Sequence, residues 1–460
     1  MSHIETFKKK MRGDGLPESV VSAFTGLYQR LASGERGMIP ESDLSPLTPD
    51  EVPSLATSRE HAAKGLELAD QAVVLKLNGG LGTSMGLDKA KSLLPVKNGL
   101  TFLDIIRRQV ERFRGDTGAC LPLVLMNSFN TEDDSLAALG DFGNPTGVPL
   151  SFLQNRFPKV MADDLSPAEW PDNPSLEWNP PGHGDLYAAL KSSGTLDALL
   201  ERGYHYAFVS NADNLGASFD PALLGLMAET GAPFLMEVAR RTKDDRKGGH
   251  LARAEDGRLV LREVAQTPDG DLDAFQDIDR HRYFNTNSVW VDLRALNRLL
   301  EEEGEVSLSL IANSKTIDPR DPDSPKVFQL ETAMGSAISG FPGAAVVEVP
   351  RSRFLPVKTT DDLLRVMSDN YRLDDRFNLI HTGHTTRVEL DSRYYKKIDE
   401  FLRRFPAGVP SLANCQLLRV RGDVFFETAP SLHGEVVVEN TGGLPARIRR
   451  TEMRGREVLA

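Results

Sequence analysis

From residue 72 onward, short runs of consecutive apolar residues alternate with longer stretches whose apolar positions recur every three or four residues. Residues 72–77 (AVVLKL), 121–126 (LPLVLM), 205–210 (HYAFVS), 234–238 (FLMEV) and 344–349 (AAVVEV) are of the first kind, the pattern of strands buried on both faces. Phe102, Leu103, Ile106, Val110 and Phe113 keep helical spacing, with Arg107, Arg108, Glu111, Arg112 and Arg114 on the other face. Residues 185–201, 361–371 and 396–405 also read as helices. Strands alternating with helices predict a mostly parallel sheet in a doubly wound α/β domain. One hairpin interrupts it, with 251–254 and 258–264 flanking the Asp256-Gly257 turn.

On either side of this block the pattern changes. Residues 1–70 are polar and read as an N-terminal helical extension, with the proline-rich stretch 38–53 as an irregular connector. The α/β block is expected to fill 71–385. In 386–460, Leu418, Val420, Val424 and Phe426, then Val436 and Val438, alternate with polar residues. A regular return of period-two strands predicts stacked β-coils in a small C-terminal domain. A length of 460 residues suits this division, at ~150 residues per domain.

Charge narrows the chemistry. Lys and Arg number 54 against 66 Asp and Glu, a net of −12, which argues against a nucleic-acid partner. Any phosphate chemistry must then use locally placed cations. No apolar run approaches the ~20 residues that span a bilayer, and the first residues carry no apolar leader. Cys120 and Cys415 stand far apart and form no metal or redox pattern. A cytoplasmic chain without a membrane partner is the expectation.

The richest segment is Lys76, Leu77, Asn78, Gly79, Gly80, Leu81, Gly82, directly after the first sheet strand. Glycines let backbone amides approach a ligand, and successive N–H groups can cradle phosphate oxygens. The loop lacks the GK[ST] of a P-loop, and its glycine spacing differs from a dinucleotide fingerprint. Lys91 lies just before the apolar pair Leu93-Leu94 and can turn its ammonium towards this loop. Gly182-His183-Gly184-Asp185 follows two prolines at a helix start, where anions are favoured. Asn211-Ala212-Asp213-Asn214 closes an apolar strand at its carboxyl end, where open α/β sheets hold ligands. There Asp213 suits Mg²⁺, which takes one or two carboxylates plus substrate phosphates, and Asn214 reads as an Asx turn. Gly249, Glu263, Asn285 and Asn287 sit in segments that read as polar loops and offer amides and a carboxylate to sugar hydroxyls. In 351–360, Lys358 is a cation behind Pro356 and before a helix start, with Arg351 and Arg353 read as exposed arginines. No GxSxG, HExxH or Cys-His nucleophile is present, so the set describes phosphoryl or nucleotidyl transfer by positioning and charge neutralisation.

Read together, KLNGGLGTSMG (76–86), LMNSFNT (125–131), QNRFPKV (154–160), PPGHGDLY (180–187), NADNLG (211–216), FNTNSVW (284–290), QLETAMGSAI (329–338) and VPRSRFLPVKTTDDLL (349–364) resemble the eukaryotic-type UTP–glucose-1-phosphate uridylyltransferase family, in its order. The resemblance implies an α/β fold: a Rossmann-like nucleotidyltransferase core with a mixed, mostly parallel sheet, plus a small C-terminal left-handed β-helix domain. It implies UTP and glucose 1-phosphate as substrates, UDP-glucose and pyrophosphate as products, and Mg²⁺ as cofactor. Leu77, Asn78, Gly79, Gly80, Leu81, Gly82 and Met126 would hold the nucleotide, Gln154 and Gly182 would read uracil, and Asn211 would meet the ribose. Asp213 would hold the metal, and Lys91, His183 and Lys358 would neutralise phosphates. Gly249, Glu263, Asn285 and Asn287 would hold glucose. Two alternatives remain at this stage, a uridylyltransferase of broader or N-acetylhexosamine-1-phosphate specificity and a non-catalytic sugar-nucleotide sensor. Thr83-Ser84-Met85, where such hexosamine relatives carry arginine, argues against the first. The tail carries Pro430 and Gly442-Gly443 where a β-helix would run more regularly, and self-association through it is a further expectation.

Overall fold

The computed structural model describes residues 3–459 apart from 36, 88, 320 and 384. Its centre is a ten-stranded mixed sheet: β1 (Leu44–Pro46), β2 (Ala72–Leu77), β3 (Leu123–Asn127), β4 (Ser151–Leu153), β5 (Tyr206–Asn211), β6 (Phe234–Arg240), β7 (His250–Ala254), β8 (Leu259–Arg262), β9 (Tyr283–Asp292) and β10 (Ala345–Glu348). β2 lies between β5 and β3, parallel to both, and β4 continues the parallel half. β9 runs antiparallel between β5 and β6, and β10 is parallel to β6. The expected hairpin is present as β7 and β8.

The apolar runs become strands because both sheet faces are covered. Ala72 and Val74 face a core with Phe102, Ile106, Phe208 and Trp290, while Val73 and Leu75 face another with Met126, Tyr187, Leu196 and Val289. The helix Phe102–Thr117 starts in a Thr101/Asp104 capping box and stops at Gly118 in the left-handed region. The helix expected over 185–201 is broken into Leu186–Ser192 and Thr195–Glu201 by Gly194, whose φ is +73°. The one expected over 361–371 ends at Met367, and Tyr371–Leu373 is a strand.

Two segments read from sequence as irregular belong to the sheet. Within 38–53, β1 pairs with β7, and Glu348 N–H donates to Pro53 O (2.8 Å). A three-residue strand ending in proline is too short to carry a period. Residues 284–287, expected as loop, lie inside β9. There the β6 register skips Thr286 and Asn287, a bulge with Asn287 at φ +55°, and the polar bulge hides the alternation.

The helices His3–Gly13 and Glu18–Ala32 form a small core of Phe7, Phe24 and Tyr28 against Phe157, Leu310 and Leu330. At the other end, Arg387–Leu390, Ser411–Arg421, Ser431–Asn440 and Glu452–Leu459 lie side by side in parallel, and Val424–Phe426 pairs in parallel with Ala446–Ile448. Leu418, Val420, Val424, Phe426, Val436 and Val438 are all buried, so these parallel strands enclose a filled apolar interior. No helix among the described residues is long and apolar enough to cross a membrane.

Candidate active site

Parallel register brings the carboxyl ends of β2, β3 and β5 level. Asn211 pairs with Leu77, and Leu77 with Met126, so three expected nucleotide residues form one row across the sheet. Above this row lies a cleft of about 310 Å³ lined by Leu77, Asn78, Gly79, Gly80, Lys91, Ser92, Met126, Gln154, Pro180, Gly182, His183, Asn211, Ala212 and Asp213. Ser92, Pro180 and Ala212 are additions that only proximity reveals. Leu81 and Gly82 stand just outside the lining, and Gly80 O accepts the Lys91 N–H (3.0 Å), tying the glycine loop to the lysine.

Several side chains there have settled partners. Both amide hydrogens of Asn78 are committed, to Asn127 Oδ1 (2.7 Å) and Ser135 Oγ (2.8 Å), so this residue shapes the loop. A Cβ on Gly79 would lie 2.9 Å from Gln154 Oε1 and 3.0 Å from its Nε2, so that amide rests against the glycine backbone. Gly182 has φ +79°, and a Cβ there would meet Thr332 O at 2.5 Å, so only glycine fits. Asp185 accepts from Asn155 N (2.5 Å) and Nδ2 (2.8 Å), which holds the residue after Gln154. Burial raises this carboxyl to about 6.

His183 Nδ1 accepts the Met334 N–H (2.8 Å). Burial first, then the Lys358 charge, lowers its pKa to about 4. A neutral ring with Nδ1 occupied as acceptor carries its proton on Nε2. His183 therefore offers a ligand a hydrogen bond and not the positive charge expected of it.

The sugar-type residues converge at one edge of the β7–β8 hairpin. Gly249 precedes β7 and Glu263 follows β8, and Asn285 N–H donates to Gly249 O (3.0 Å). A Cβ on Gly249 would sit 2.5 Å from the Glu263 carboxylate. Asn285 Nδ2 donates to Asn287 Oδ1 (2.8 Å), and Asn287 N–H returns to Asn285 Oδ1 (2.9 Å), which fixes the bulge. Burial raises the Glu263 pKa, with Lys358 acting against it. Lys358 is exposed and lies outside the lining of the cleft, yet its charge is felt at both His183 and Glu263. It therefore stands within electrostatic reach of both groups.

Asp213 Oδ2 pairs with Lys91 Nζ at 2.6 Å. Among the described residues no group of three or more His, Cys, Asp or Glu side chains could hold a metal ion. A lone carboxylate fits a hard cation that keeps waters and is held mainly by substrate phosphates, and does not fit a resident metal.

Sequence reasoning missed the buried polar layer beneath the site. Lys76 on β2 donates to Ser210 Oγ (2.6 Å) and Ala217 O (2.7 Å), on both sides of the Asp213 loop. Burial lowers it to about 7. Arg353, read as exposed, is buried, with Nε and Nη2 each 2.6 Å from the Glu237 carboxylate. The legible signal was a charge inside an apolar run, Lys76 in AVVLKL and Glu237 in FLMEV. Asn214 makes the expected turn, Oδ1 accepting the Gly216 N–H (3.2 Å), but it also reaches Arg353 and Leu355.

Comparison with known proteins places the chain among related enzymes. The family model for UTP–glucose-1-phosphate uridylyltransferase matches residues 21–433. The chain is 41% identical over 442 residues to a UTP–glucose-1-phosphate uridylyltransferase of Solanum tuberosum, covering 94% of this chain and 91% of that one. It is 40% identical over 432 residues to one of Saccharomyces cerevisiae, covering 93% and 85%. Among solved structures, UDP-glucose pyrophosphorylase of Leishmania major superposes with a TM-score of 0.90 at 40% identity, and a UDP-glucose phosphorylase of Trypanosoma brucei with 0.89 at 43%. Each comparison covers 100% of this chain and 99% of the other. A variant of the Leishmania enzyme in complex with UDP-glucose also superposes, with a TM-score of 0.89 at 40% identity over the same shares of both chains. The chain belongs to the UTP–glucose-1-phosphate uridylyltransferase family.

Proposed function

We propose that this chain transfers a uridylyl group from UTP to α-D-glucose 1-phosphate, yielding UDP-glucose and pyrophosphate in a reversible reaction. The observation that carries the reading is the level row of Leu77, Met126 and Asn211 under one cleft, with a single paired carboxylate and neutral His183 at its wall. Gly79, Gly80, Leu81 and Gly82 present backbone to the uridine and phosphates, and Leu77, Asn78 and Met126 form the floor. Gln154 and Gly182 read uracil, and Asn211 meets the ribose. Gly249, Glu263, Asn285 and Asn287 take the glucose hydroxyls.

In the reaction, an oxygen of the sugar phosphate attacks the α-phosphorus of UTP in line, and the bond to pyrophosphate breaks. The nucleophile is already ionised at neutral pH, so no general base is required. Lys91 and Lys358 offset the charge that builds on the α-phosphate and the leaving group. His183 donates from Nε2 to a phosphate oxygen without adding charge. Mg²⁺ arriving with the triphosphate, held by Asp213 on the protein side, would supply further neutralisation.

The same reading assigns 1–70, 71–385 and 386–460 to an N-terminal extension, a catalytic domain and a C-terminal domain. The parallel coils support a left-handed β-helix in the tail. The strand Glu452–Leu459 has one parallel neighbour, and its outer edge suits self-association. A cytoplasmic setting fits Cys120 and Cys415, which are not joined in a disulfide.

Pyrophosphate release with UTP and Mg²⁺, compared among glucose-1-phosphate, galactose-1-phosphate and N-acetylglucosamine-1-phosphate, tests the function. Release that strongly prefers glucose-1-phosphate is expected. No release with any sugar, alongside tight UDP-glucose binding, would leave a binding protein.

A further inference from the structure

Two of the charges assigned to the reaction lie far apart in sequence, Asp213 on the loop after β5 and Lys358 on the strap before the helix Thr360–Met367. What joins loop and strap is a short backbone bridge and one buried side chain. Asn214 is 2% exposed. Its Nδ2 donates to Arg353 O (3.1 Å), and its Oδ1 accepts from Leu355 N (2.8 Å) as well as from Gly216 N (3.2 Å). Asn214 and Pro356 form an antiparallel bridge, and Val357 N–H donates to Asp213 O (3.2 Å).

Both halves of this junction are anchored from below. Lys76 holds the Asp213 loop through Ser210 Oγ and Ala217 O. Arg353 holds the strap through Glu237, whose Oε1 also accepts from Trp290 Nε1 (3.0 Å), and reaches Ser218 O at 2.9 Å. Loop and strap thus rest on one floor, and the carboxamide above it sets their spacing. An Asx turn alone would need only the Gly216 contact. The two bonds to the strap are surplus to the turn and run from the Asn214 side chain to strap backbone at Arg353 and Leu355, which is what a spacer requires.

We infer that Asn214 is a positioning residue that fixes the Asp213 loop against the strap that carries Lys358, a role that rests on the proposed function. Asn214 is not among the residues that line the cleft. Its effect is felt through Lys358, because a misplacement of about 1 Å costs about 100-fold in rate.

The test uses the full chain and a double-mutant cycle. Asn214→Asp keeps the acceptor for Leu355 and Gly216 and loses the donor to Arg353 O, while Asn214→Ala loses both. The expected result is a fall in kcat of about 10- to 100-fold with the KM for UTP changed less than about threefold. With Lys358→Ala already present, Asn214→Asp should cost less than about threefold more, since residues acting as one unit are not additive. Equal losses in both backgrounds, or a folded Asn214→Asp enzyme with intact kcat, would overturn the inference. Amide exchange in the unmutated chain gives a reading independent of folding by variants: the Leu355 and Val357 amides should exchange as slowly as those of β2. Fast exchange there would also overturn it. A wild type that releases no pyrophosphate would sink the functional reading instead, and the exchange rates would still judge the clamp.

Discussion

The Lys91 ammonium lies 2.6 Å from an Asp213 carboxylate oxygen, across 122 positions of sequence. In the free protein Asp213, the acidic side chain that lines the cleft among the described residues, is thus already neutralised. A divalent cation without phosphates has little to gain there, because it would have to displace Lys91 for a single ligand. Calorimetry should detect no Mg²⁺ binding to the protein alone and clear binding once UTP is present. Asp213→Ala should abolish turnover even in excess Mg²⁺. Tight metal binding without nucleotide, or an active Asp213→Ala enzyme, would put the metal elsewhere.

Lys358 is exposed, yet its field acts on both His183 and Glu263. Lys358→Ala should lose about 100-fold in turnover, the scale of removing one well-placed charge donor from a transition state. Steady-state kinetics read this directly, and unchanged turnover would remove Lys358 from the chemistry. His183→Phe should weaken binding and turnover less, because a neutral hydrogen bond is lost and no charge.

Two glycines are expected to distinguish the two substrates. A Cβ on Gly249 would meet the Glu263 carboxylate at 2.5 Å, and one on Gly79 would meet the Gln154 amide at 2.9 Å. Gly249→Ala is expected to raise the KM for sugar phosphate about tenfold and leave that for UTP nearly unchanged, the loss of one or two polar contacts. Gly79→Ala should do the reverse. Initial rates with each substrate varied in turn distinguish them, and a common effect of both on UTP would contradict the division.

Much of this was readable in the residues, for physical reasons that differ by region. The parallel half of the sheet announced itself because a strand covered on both faces must be apolar throughout, as in 72–77 and 121–126. Its loops were legible because a cleft lined by close backbone demands glycine in short, dense clusters, as in 78–82. The sugar side was harder. Asn285 and Asn287 sit on a strand, but the bulge at Thr286 and Asn287 broke its period and made it look like a loop. The polar floor was hardest, since Arg353 and Glu237 are far apart in sequence and nothing local says that they meet. Lys76 was visible in principle, as a lysine within an apolar run has to find partners inside.

Asp185 supplies a dependence on pH. Its carboxyl is raised from an ordinary 3.8 to about 6 by burial, although Asn155 donates to it twice. A raised folded-state value means that the native chain keeps a proton the unfolded chain has shed, so this stabilising contribution is full below about 3.8 and lost as pH rises through 6. Asp185→Asn cannot titrate, and a flipped Asn155 amide can satisfy it. Urea denaturation should show wild type gaining about 1 kcal/mol relative to Asp185→Asn on going from about pH 7.5 to about pH 5. A difference that does not change with pH would contradict the assignment.

The central claim is a single direct displacement at the α-phosphorus, set up by position and charge with no covalent intermediate on the protein. Its most direct test is stereochemical. UTP carrying sulfur at the α-phosphorus in one configuration is turned over with glucose 1-phosphate, and the configuration of the UDP-glucose product is read by ³¹P NMR. Inversion is the result this account predicts. Retention would require two displacements and a nucleophile on the protein, and would contradict it.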